Sequence, residues 1–442
     1  MSRLELSLAE ARGLMLAAQG LLEAPPERPG PAELRATVER LGVVQIDTIS
    51  VVTRSQYLVL WSRLGAYDPA QFDALLYPER AVFEYWSHAA SIVPMRDWPY
   101  YRAGMVHAPE WHMYSDTRAW MEQHPDVVRQ TLEAIRERGP LASADFERPA
   151  DGRRVERWDW YGPKESRVAL DVLWTLGELM VHSRRGGQKV YDLRERVLAE
   201  LDGRLALPAD DALPGHAERL LYFAERTVEA LGVVTADWLW DYFRLRRHLR
   251  AGAASGRDEA DVHLSSAHGP QSDDEDERSA KNGNSRARAV AMLAELAAAG
   301  LVVPARIEGL AELAYVDAGR LPDLERLRSG LRPERTTLLS PFDSLIWDRK
   351  RAQQLFGFEV VFEAYVLPQK RRYGYYCLAI LHRGELVGRL DAKAARAEGA
   401  LLARAVYLEP GVAVDEALLG GLASALRDMA RFLGLAEVRV ER

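Results

Sequence analysis

Two polar side chains, Gln45 and Asp47, close an apolar run and are the residues of this chain best suited to chemistry. In an extended segment, side chains two positions apart point to the same face, so the amide and the carboxylate would converge while Ile46 turns into the core. An amide beside a carboxylate can hold and polarise one water molecule. These two side chains are therefore the fewest groups with which a site could catalyse hydrolysis.

A second interpretation makes Asp47 the cap of a helix. Aspartate is a favoured N-cap, and a helix that begins near Thr48 and runs through residues 51–61 would follow it directly. A capping carboxylate stays ionised at the positive end of the helix dipole, so the two roles are compatible. These residues alone leave both interpretations open.

The elements that must position this pair follow the order of a winged helix-turn-helix unit. A capping box at Ser7 and Glu10 opens the first helix, and Gly42 closes the second. The predicted elements are, in order, helices over residues 7–22 and 31–41, an extended piece over 43–47, a helix over 51–64, strands within 82–94 and helices through 98–137.

Two further segments repeat this succession, and Thr235 is predicted to cap a helix in the second of them. The earlier segment is predicted to hold a turn at 139–146, a helix over 166–177 and strands within 180–193. The later one is predicted to hold helices over 216–231, 236–250 and 288–299 and strands within 301–316. Three helix-turn-helix-like units therefore recur at unequal spacing.

A basic turn joins the two strands predicted within 180–193. Its sequence, SRRGGQK at 183–189, places two glycines where a hairpin tip needs positive φ. The cations Arg184, Arg185 and Lys189 flank these glycines, which favours contact with phosphates over a merely solvated hairpin tip.

A low-complexity segment and a β-rich segment complete the chain. Residues 251–286 are rich in Gly, Ser, Asp and Glu with almost no large apolar residue, so we expect a disordered or mobile loop. The acidic run 273–277 lies within it. From about residue 336 we predict strands over 358–367, 374–381, 385–390, 404–408 and 436–440, with a helix over 413–433.

Further cations in the C-terminal segment are candidate DNA contacts. Arginine beside aromatic residues suits both backbone contact and base stacking, although the tyrosines after residue 372 are equally explained by a core strand. Asp343 is predicted to bind Arg349 or to cap a turn. The candidate residues are Arg349, Arg351, Lys370, Arg371, Arg372, His382 and Arg389.

Composition limits the class of protein. The chain has 442 residues, too many for one ordinary core, and its hydrophobic content of 48% is typical of soluble globular proteins. It has no run of about 18 apolar residues and no signal-peptide pattern, so we expect a cytoplasmic, nucleoid-associated protein without membrane contact. The single cysteine, Cys377, excludes an internal disulfide and any multi-cysteine metal site. A net charge of −7 does not exclude DNA, because contact with phosphates is local.

Several motifs spread over nearly the whole chain carry a family resemblance. They are residues 41–50 (LGVVQIDTIS), 58–65 (LVLWSRLG), 84–90 (EYWSHAA), 177–180 (GELM), 189–193 (KVYDL), 338–348 (LLSPFDSLIWD), 371–376 (RRYGYY) and 387–391 (VGRLD). In this order they resemble the winged-helix DNA glycosylases that repair interstrand crosslinks, the YcaQ-like and AlkZ-like family. Residues 251–286 have no counterpart in it.

The resemblance implies a fold and a domain organisation. The fold class is α+β, mostly α, with three tandem winged helix-turn-helix units that form a concave scaffold and a C-terminal β-rich, barrel-like domain. The expected units are residues 1–125, which contain the Gln45–Asp47 motif, 126–205 with the basic wing, 206–330 with the disordered insertion, and the β-rich domain at 331–442.

The resemblance also implies an activity. One branch of the family carries Gln–apolar–Gln and the other carries Gln–apolar–Asp, and Gln45-Ile46-Asp47 places this chain in the second. That branch excises N7-alkylated guanines and unhooks nitrogen-mustard-type crosslinks, with Gln45 and Asp47 as the catalytic pair. No lysine lies in the motif to form a Schiff base, so we expect a monofunctional glycosylase that leaves abasic sites. We expect it to act as a monomer on damaged double-stranded DNA, without a cofactor or a metal.

Two rival functions are weighed against this one. A winged-helix transcription regulator without catalysis would also use tandem helix-turn-helix units, but such regulators are typically small dimers that read symmetric half-sites. A metal-dependent nuclease would need carboxylates or histidines at ligand spacing. The dense acidic cluster at 273–277 instead has the composition of a solvated loop.

Overall fold

Four β-sheets, each with helices beside it, organise the part of the chain that the structure describes. The structure is a computed structural model that describes residues 3–107, 112–146, 165–244 and 275–441, with the backbone alone at 112–115 and 275–284. In these ranges no helix is both long and apolar enough to cross a membrane.

The N-terminal elements begin and end close to the predicted positions. Ser7 and Glu10 form the expected capping box, and Gly42 closes the second helix in the left-handed conformation. The elements are β1 (Leu4–Leu6), α1 (Leu8–Ala18), α2 (Pro31–Leu41), β2 (Val44–Gln45), α3 (Ser55–Leu64), α4 (Pro69–Leu76), β3 (Val82–Trp86) and β4 (Ala90–Pro94).

The third helix begins later than the sequence pattern predicts. We expected it from residue 51, but α3 begins at Ser55 and Arg54 is its N-cap. The preceding residues are held by the C-terminal sheet instead, because Val51 O accepts from Ala394 N at 3.0 Å and Val52 O from Arg396 Nη2 at 2.8 Å. Asp47 is therefore not the cap of this helix.

The middle of the chain forms a second small sheet in the order β5-β7-β6. The predicted basic hairpin is present, and its turn has two glycines at φ values of 58° and 87°. The elements are α5 (Trp98–His107), α6 (His112–Gln123), α7 (Pro125–Arg138), β5 (Leu141–Ala142), α8 (Glu165–Thr175), β6 (Leu179–Arg185), β7 (Gln188–Leu193) and α9 (Arg194–Ala199).

The third sheet includes a strand that the sequence analysis missed. Its order is β1-β9-β10-β8, and β1 pairs parallel with β9 although some 300 residues separate them. Thr235 caps α11 as predicted, by accepting from Trp238 N. The elements are α10 (His216–Leu231), β8 (Val233–Thr235), α11 (Ala236–Tyr242), α12 (Glu275–Ala298), β9 (Val302–Ile307), β10 (Leu313–Asp317) and α13 (Leu321–Arg328).

The low-complexity prediction fails in one part of its range. The helix α12 already begins at Glu275, so residues 275–286 are helical rather than loop. Residues 251–274 lie outside the described ranges, as do 245–250, where the basic end of a helix was predicted. The helix before them ends at Tyr242.

The C-terminal sheet has five strands in the order β11-β12-β13-β14-β15. It is a curled half-barrel rather than a closed barrel. The strand predicted over 358–367 is an irregular loop, because the Glu363 carboxylate accepts from the backbone N–H groups of three residues at 372–374 and fixes a turn there. The elements are β11 (Thr336–Leu339), α14 (Arg349–Phe356), β12 (Cys377–His382), β13 (Glu385–Ala395), β14 (Ala400–Leu408), α15 (Glu416–Phe432) and β15 (Glu437–Val440).

Two apolar clusters hold these parts together. One runs from α1 through the second and third sheets. The other packs α2, α3 and α4 against the C-terminal sheet, and Ile46 and Ile49 lie at its margin. The segment that carries Gln45 and Asp47 thus lies at the seam between the first sheet and the C-terminal domain. The expected assignment of the small sheets as winged-helix units stays a prediction, and so do the domain boundaries.

Candidate functional site

The short strand β2 places Gln45 and Asp47. It pairs antiparallel with β4, with Gln45 opposite Ser91, and Ile46 N continues the ladder by donating to Ala90 O at 2.8 Å. The segment is therefore extended, as its sequence predicts. Gln45 is 6% exposed and Asp47 is 7% exposed, so both polar side chains lie largely out of bulk water.

The Asp47 carboxylate is held by its own loop. Its Oδ1 accepts from Ile49 N at 2.7 Å, which closes a local turn just after β2. Burial raises the pKa of two tyrosines from the C-terminal domain, the exposed Tyr365 and the buried Tyr376, and the Asp47 charge adds to the rise in both. Asp47 thus lies within electrostatic range of a ring at the surface and of a hydroxyl in the core.

The Tyr376 hydroxyl belongs to a buried chain of hydroxyl groups. It lies 2.9 Å from Ser340 Oγ, which in turn lies 2.8 Å from Ser55 Oγ at the first turn of α3. Burial raises the pKa of Tyr376, so this hydroxyl keeps its proton. The chain connects α3, the helix that follows the Gln45–Asp47 segment, to the 338–348 motif.

Asp343, the carboxylate of that motif, is fully buried and binds Arg63 instead of the predicted Arg349. Arg63 Nη2 donates to Asp343 Oδ1 at 2.8 Å, and Nη1 donates to Oδ2. Asp343 Oδ1 also accepts from Leu345 N at 3.0 Å, so the expected turn is present. Because no surface of this carboxylate reaches solvent, its role is to stabilise the seam beside the site.

The 84–90 motif connects the first sheet to its neighbours. Glu84 accepts from Arg184 of the basic β6–β7 hairpin, the predicted wing, with Nε 2.6 Å from Oε1. His88 stacks on Trp347 with ring centroids 3.9 Å apart, and its Nε2 accepts from Arg244 Nη2 at 3.0 Å. Burial and the Arg244 charge hold the pKa of His88 well below its usual range. A neutral imidazole therefore joins β3 and β4 to the end of α11.

The predicted DNA contacts divide into exposed and buried cations. Arg185 is exposed and bridges Asp145 at 3.0 Å, and Arg372 is exposed and bridges Glu359 at 3.1 Å. Arg349 and Lys370 are exposed as well, while Arg371 is half-buried and donates to a backbone carbonyl.

Four predicted contacts have other partners. Arg351 is fully buried and donates to Ser344 O, and the buried Arg389 pairs with a glutamate at 409. Lys189 Nζ lies 3.1 Å from the centroid of the Trp174 ring, and burial lowers its pKa to about 8. His382 bonds a threonine across β11 and β12. The buried Arg351 and Arg389 therefore present little surface to a phosphate, while Lys189 and His382 are half-buried.

Sequence reasoning missed two residues of the site. Arg63 lies in the quoted 58–65 segment, but a basic residue in the last turn of a helix is most often explained by the helix dipole. Tyr365, which is 65% exposed, lies in a segment predicted as strand. The residues around each of them in the sequence do not mark it as part of the site, because Arg63 pairs with Asp343 and Tyr365 lies near Asp47, both far away in the sequence. In the described ranges no group of three or more His, Cys, Asp or Glu side chains is arranged to hold a metal.

The sequence and the fold are both similar to those of known DNA glycosylases. A family model described as DNA glycosylase AlkZ-like matches residues 38–282 and 263–432. The fold is similar to that of Streptomyces sahachiroi DNA glycosylase AlkZ, with a TM-score of 0.59 at 15% identity over 99% of this chain and 100% of that chain. At that identity the similarity concerns the fold alone. Because the family model matches most of the sequence, this chain belongs to the AlkZ-like family of DNA glycosylases.

Proposed function

We propose that this protein is a monofunctional glycosylase that hydrolyses the N-glycosidic bond of cationic N7-alkylated purines in DNA, unhooks interstrand crosslinks and leaves abasic sites. The observation that carries the proposal is the position of Gln45 and Asp47 in one extended segment at the seam of two domains. The exposed ring of Tyr365 lies within electrostatic range of this carboxylate.

The chemistry of the substrate explains why one carboxylate suffices. An N7-alkylated guanine is cationic, so it leaves as a neutral base and needs no general acid. Ordinary glycosidases need two carboxyl groups, one as acid and one as base or nucleophile. Here Asp47 would stabilise the oxocarbenium-like sugar and accept a proton from the attacking water, while Gln45 would orient that water.

The same reasoning limits the substrates. Uracil or hypoxanthine would leave as an anion and would need proton donation that this motif lacks, so we expect poor release of both. A Schiff-base lyase would need an accessible amine, and the ammonium of Lys189 packs against the rings of Trp174, Trp86 and Tyr191. We therefore expect base release without strand cleavage until alkali is added.

DNA binding would use the exposed cations around the seam. The proposed contacts are Arg185 on the wing and Arg349, Lys370 and Arg372 in the C-terminal domain. A crosslinked base is tethered to the opposite strand and cannot be fully extruded, so an open channel suits this substrate better than a closed pocket. A complex with the damaged base enclosed in a closed pocket would contradict this arrangement.

The test uses duplex DNA with a single N7-methylguanine, incubated without metal and then treated with alkali. We expect strand cleavage with the unaltered protein, equally in excess chelator, and about a hundredfold less with Asp47→Asn, whose DNA affinity stays within about twofold. A transcription regulator would bind the DNA and release no base. A nuclease would lose its activity to the chelator, and comparable release of uracil would overturn the chemical argument.

A further inference from the structure

Arg54 is the last residue of the loop that runs from Asp47 to the start of α3. It is the N-cap of α3, but its side chain makes no capping hydrogen bond. The half-buried guanidinium lies against the turn of the basic wing, since a Cβ at Gly187 would stand 3.1 Å from Arg54 Nη2. Gly187 has φ +87°, so the close approach and the backbone conformation both favour glycine here.

Among the residues that the structure describes, Arg54 has no ion-pair partner. Within the described ranges, no carboxylate or carbonyl accepts from its guanidinium, whereas the two wing arginines bind Glu84 and Asp145. Burial and Asp73 raise the pKa of Tyr57, and the charges of Arg54 and Arg184 both oppose that rise, so both charges act on the same hydroxyl. A half-buried guanidinium without a counter-ion is suited to an anion from outside, and its planar fork matches two oxygens of a phosphate.

Hydrogen bonds hold the loop between Asp47 and Arg54 at three points. Asp47 closes a turn with Ile49 N, and the carbonyls of Val51 and Val52 accept from Ala394 and Arg396 of the C-terminal domain. An anion bound at one end of this loop is therefore fixed relative to the carboxylate at the other end.

We propose that Arg54 and the glycine turn of the wing bind a backbone phosphate of the damaged strand, beside the sugar whose base is released. This assignment rests on the proposed glycosylase function. The bound phosphate positions the sugar at Asp47, so Arg54 is a positioning residue for the reaction as well as a contact for DNA.

The first measurement compares Arg54→Ala with Arg35→Ala. Arg35 is an exposed arginine of α2 that pairs with Glu39, so its loss removes the same charge elsewhere. At saturating protein, we expect Arg54→Ala to slow single-turnover release of N7-methylguanine about tenfold and Arg35→Ala to leave it within about twofold. The slope of log Kd against log salt should fall by about 0.9 for Arg54→Ala, as for one lost phosphate contact.

A double-mutant cycle tests the contact with the wing. Gly186 and Gly187 both have positive φ, but a Cβ at Gly186 meets nothing within 4 Å. Alanine strains the backbone at either position, yet only Gly187→Ala displaces the guanidinium. We expect the losses from Gly187→Ala and Arg54→Ala to be non-additive, and the losses from Gly186→Ala and Arg54→Ala to multiply.

The results of these measurements distinguish the phosphate site at Arg54 from the proposed glycosylase function. If the unaltered protein releases N7-methylguanine and Arg54→Ala matches it in rate and salt slope, the phosphate site is wrong while the glycosylase function stands. If no base is released, the glycosylase function is wrong, and the salt slope on undamaged duplex DNA still tests the phosphate contact. Inhibition by inorganic phosphate beyond that by chloride at equal ionic strength, lost in Arg54→Ala, would show a site for free phosphate and overturn the assignment to DNA.

Discussion

Arg63 and Asp343 form a buried ion pair between α3 and the C-terminal domain, although 280 residues separate them. Both side chains are almost inaccessible to solvent, and Arg63 Nη2 also donates to Gln19 Oε1 at 3.0 Å. The pair thus joins α3 and the 338–348 motif to Gln19 at the end of α1.

Breaking this pair should destabilise the seam. Arg63→Met leaves an uncompensated buried carboxylate and should cost about 3–5 kcal/mol in the free energy of unfolding. Replacing both partners, in Arg63→Met with Asp343→Leu, should recover at least half of that loss because no buried charge remains. Urea unfolding measures both values. A double variant less stable than the single one would show that the pair does more than neutralise charge.

Gln45 should affect the rate rather than the affinity. Gln45→Ala removes the amide that would orient water, so we expect single-turnover base release to fall about a hundredfold with DNA affinity within about twofold. Ser91→Ala is the matched control, since Ser91 lies opposite Gln45 in the sheet and its hydroxyl donates to Ala89 O at 3.0 Å. An equal loss in both variants would point to damage of the sheet instead of a missing catalytic group.

His88 should make stability fall in acid. Its folded-state pKa is lowered by burial and by Arg244, while the unfolded chain takes up a proton near pH 6.5. The contribution of neutral His88 to the free energy of unfolding is therefore complete above that pH. It is lost as the pH falls below that value, by up to about 1.4 kcal/mol per pH unit. Thermal unfolding between pH 5 and 7.5 should show a steeper decline than in His88→Gln, which does not titrate. Parallel curves would contradict the assignment.

Lys189 should be dispensable for DNA binding. Its ammonium is enclosed by Trp174, and the cost of burial outweighs the cation–π attraction, so Lys189→Met should raise the free energy of unfolding at pH 7 by about 1 kcal/mol. The gain should shrink above pH 8, where the folded protein releases the proton and the unfolded chain keeps it. DNA affinity should stay unchanged in Lys189→Met and fall in Arg185→Ala. Equal losses would restore Lys189 as a phosphate contact.

Local patterns predicted the elements well where caps and turns act over a few residues. The Ser7 and Glu10 capping box, the left-handed Gly42 and the Thr235 cap each lie where the sequence places them. The strand β1 was missed because three residues carry no periodicity, and it exists only through its pairing with β9. The loop around Glu363 has the strand-like composition of a largely apolar run, but the carboxylate that bends it binds backbone some ten residues away.

The sequence by itself determined the family, the catalytic candidates Gln45 and Asp47 and most helices and strands, since these depend on residue types at short spacing. The tertiary structure alone decided that Asp343 binds Arg63, that Arg351 is buried, that the half-buried Lys189 packs on Trp174, and that Arg54 meets the glycine turn of the β6–β7 hairpin. Contacts between residues distant in the chain decide burial and pairing, and burial decides whether a cation reaches DNA or stabilises the protein.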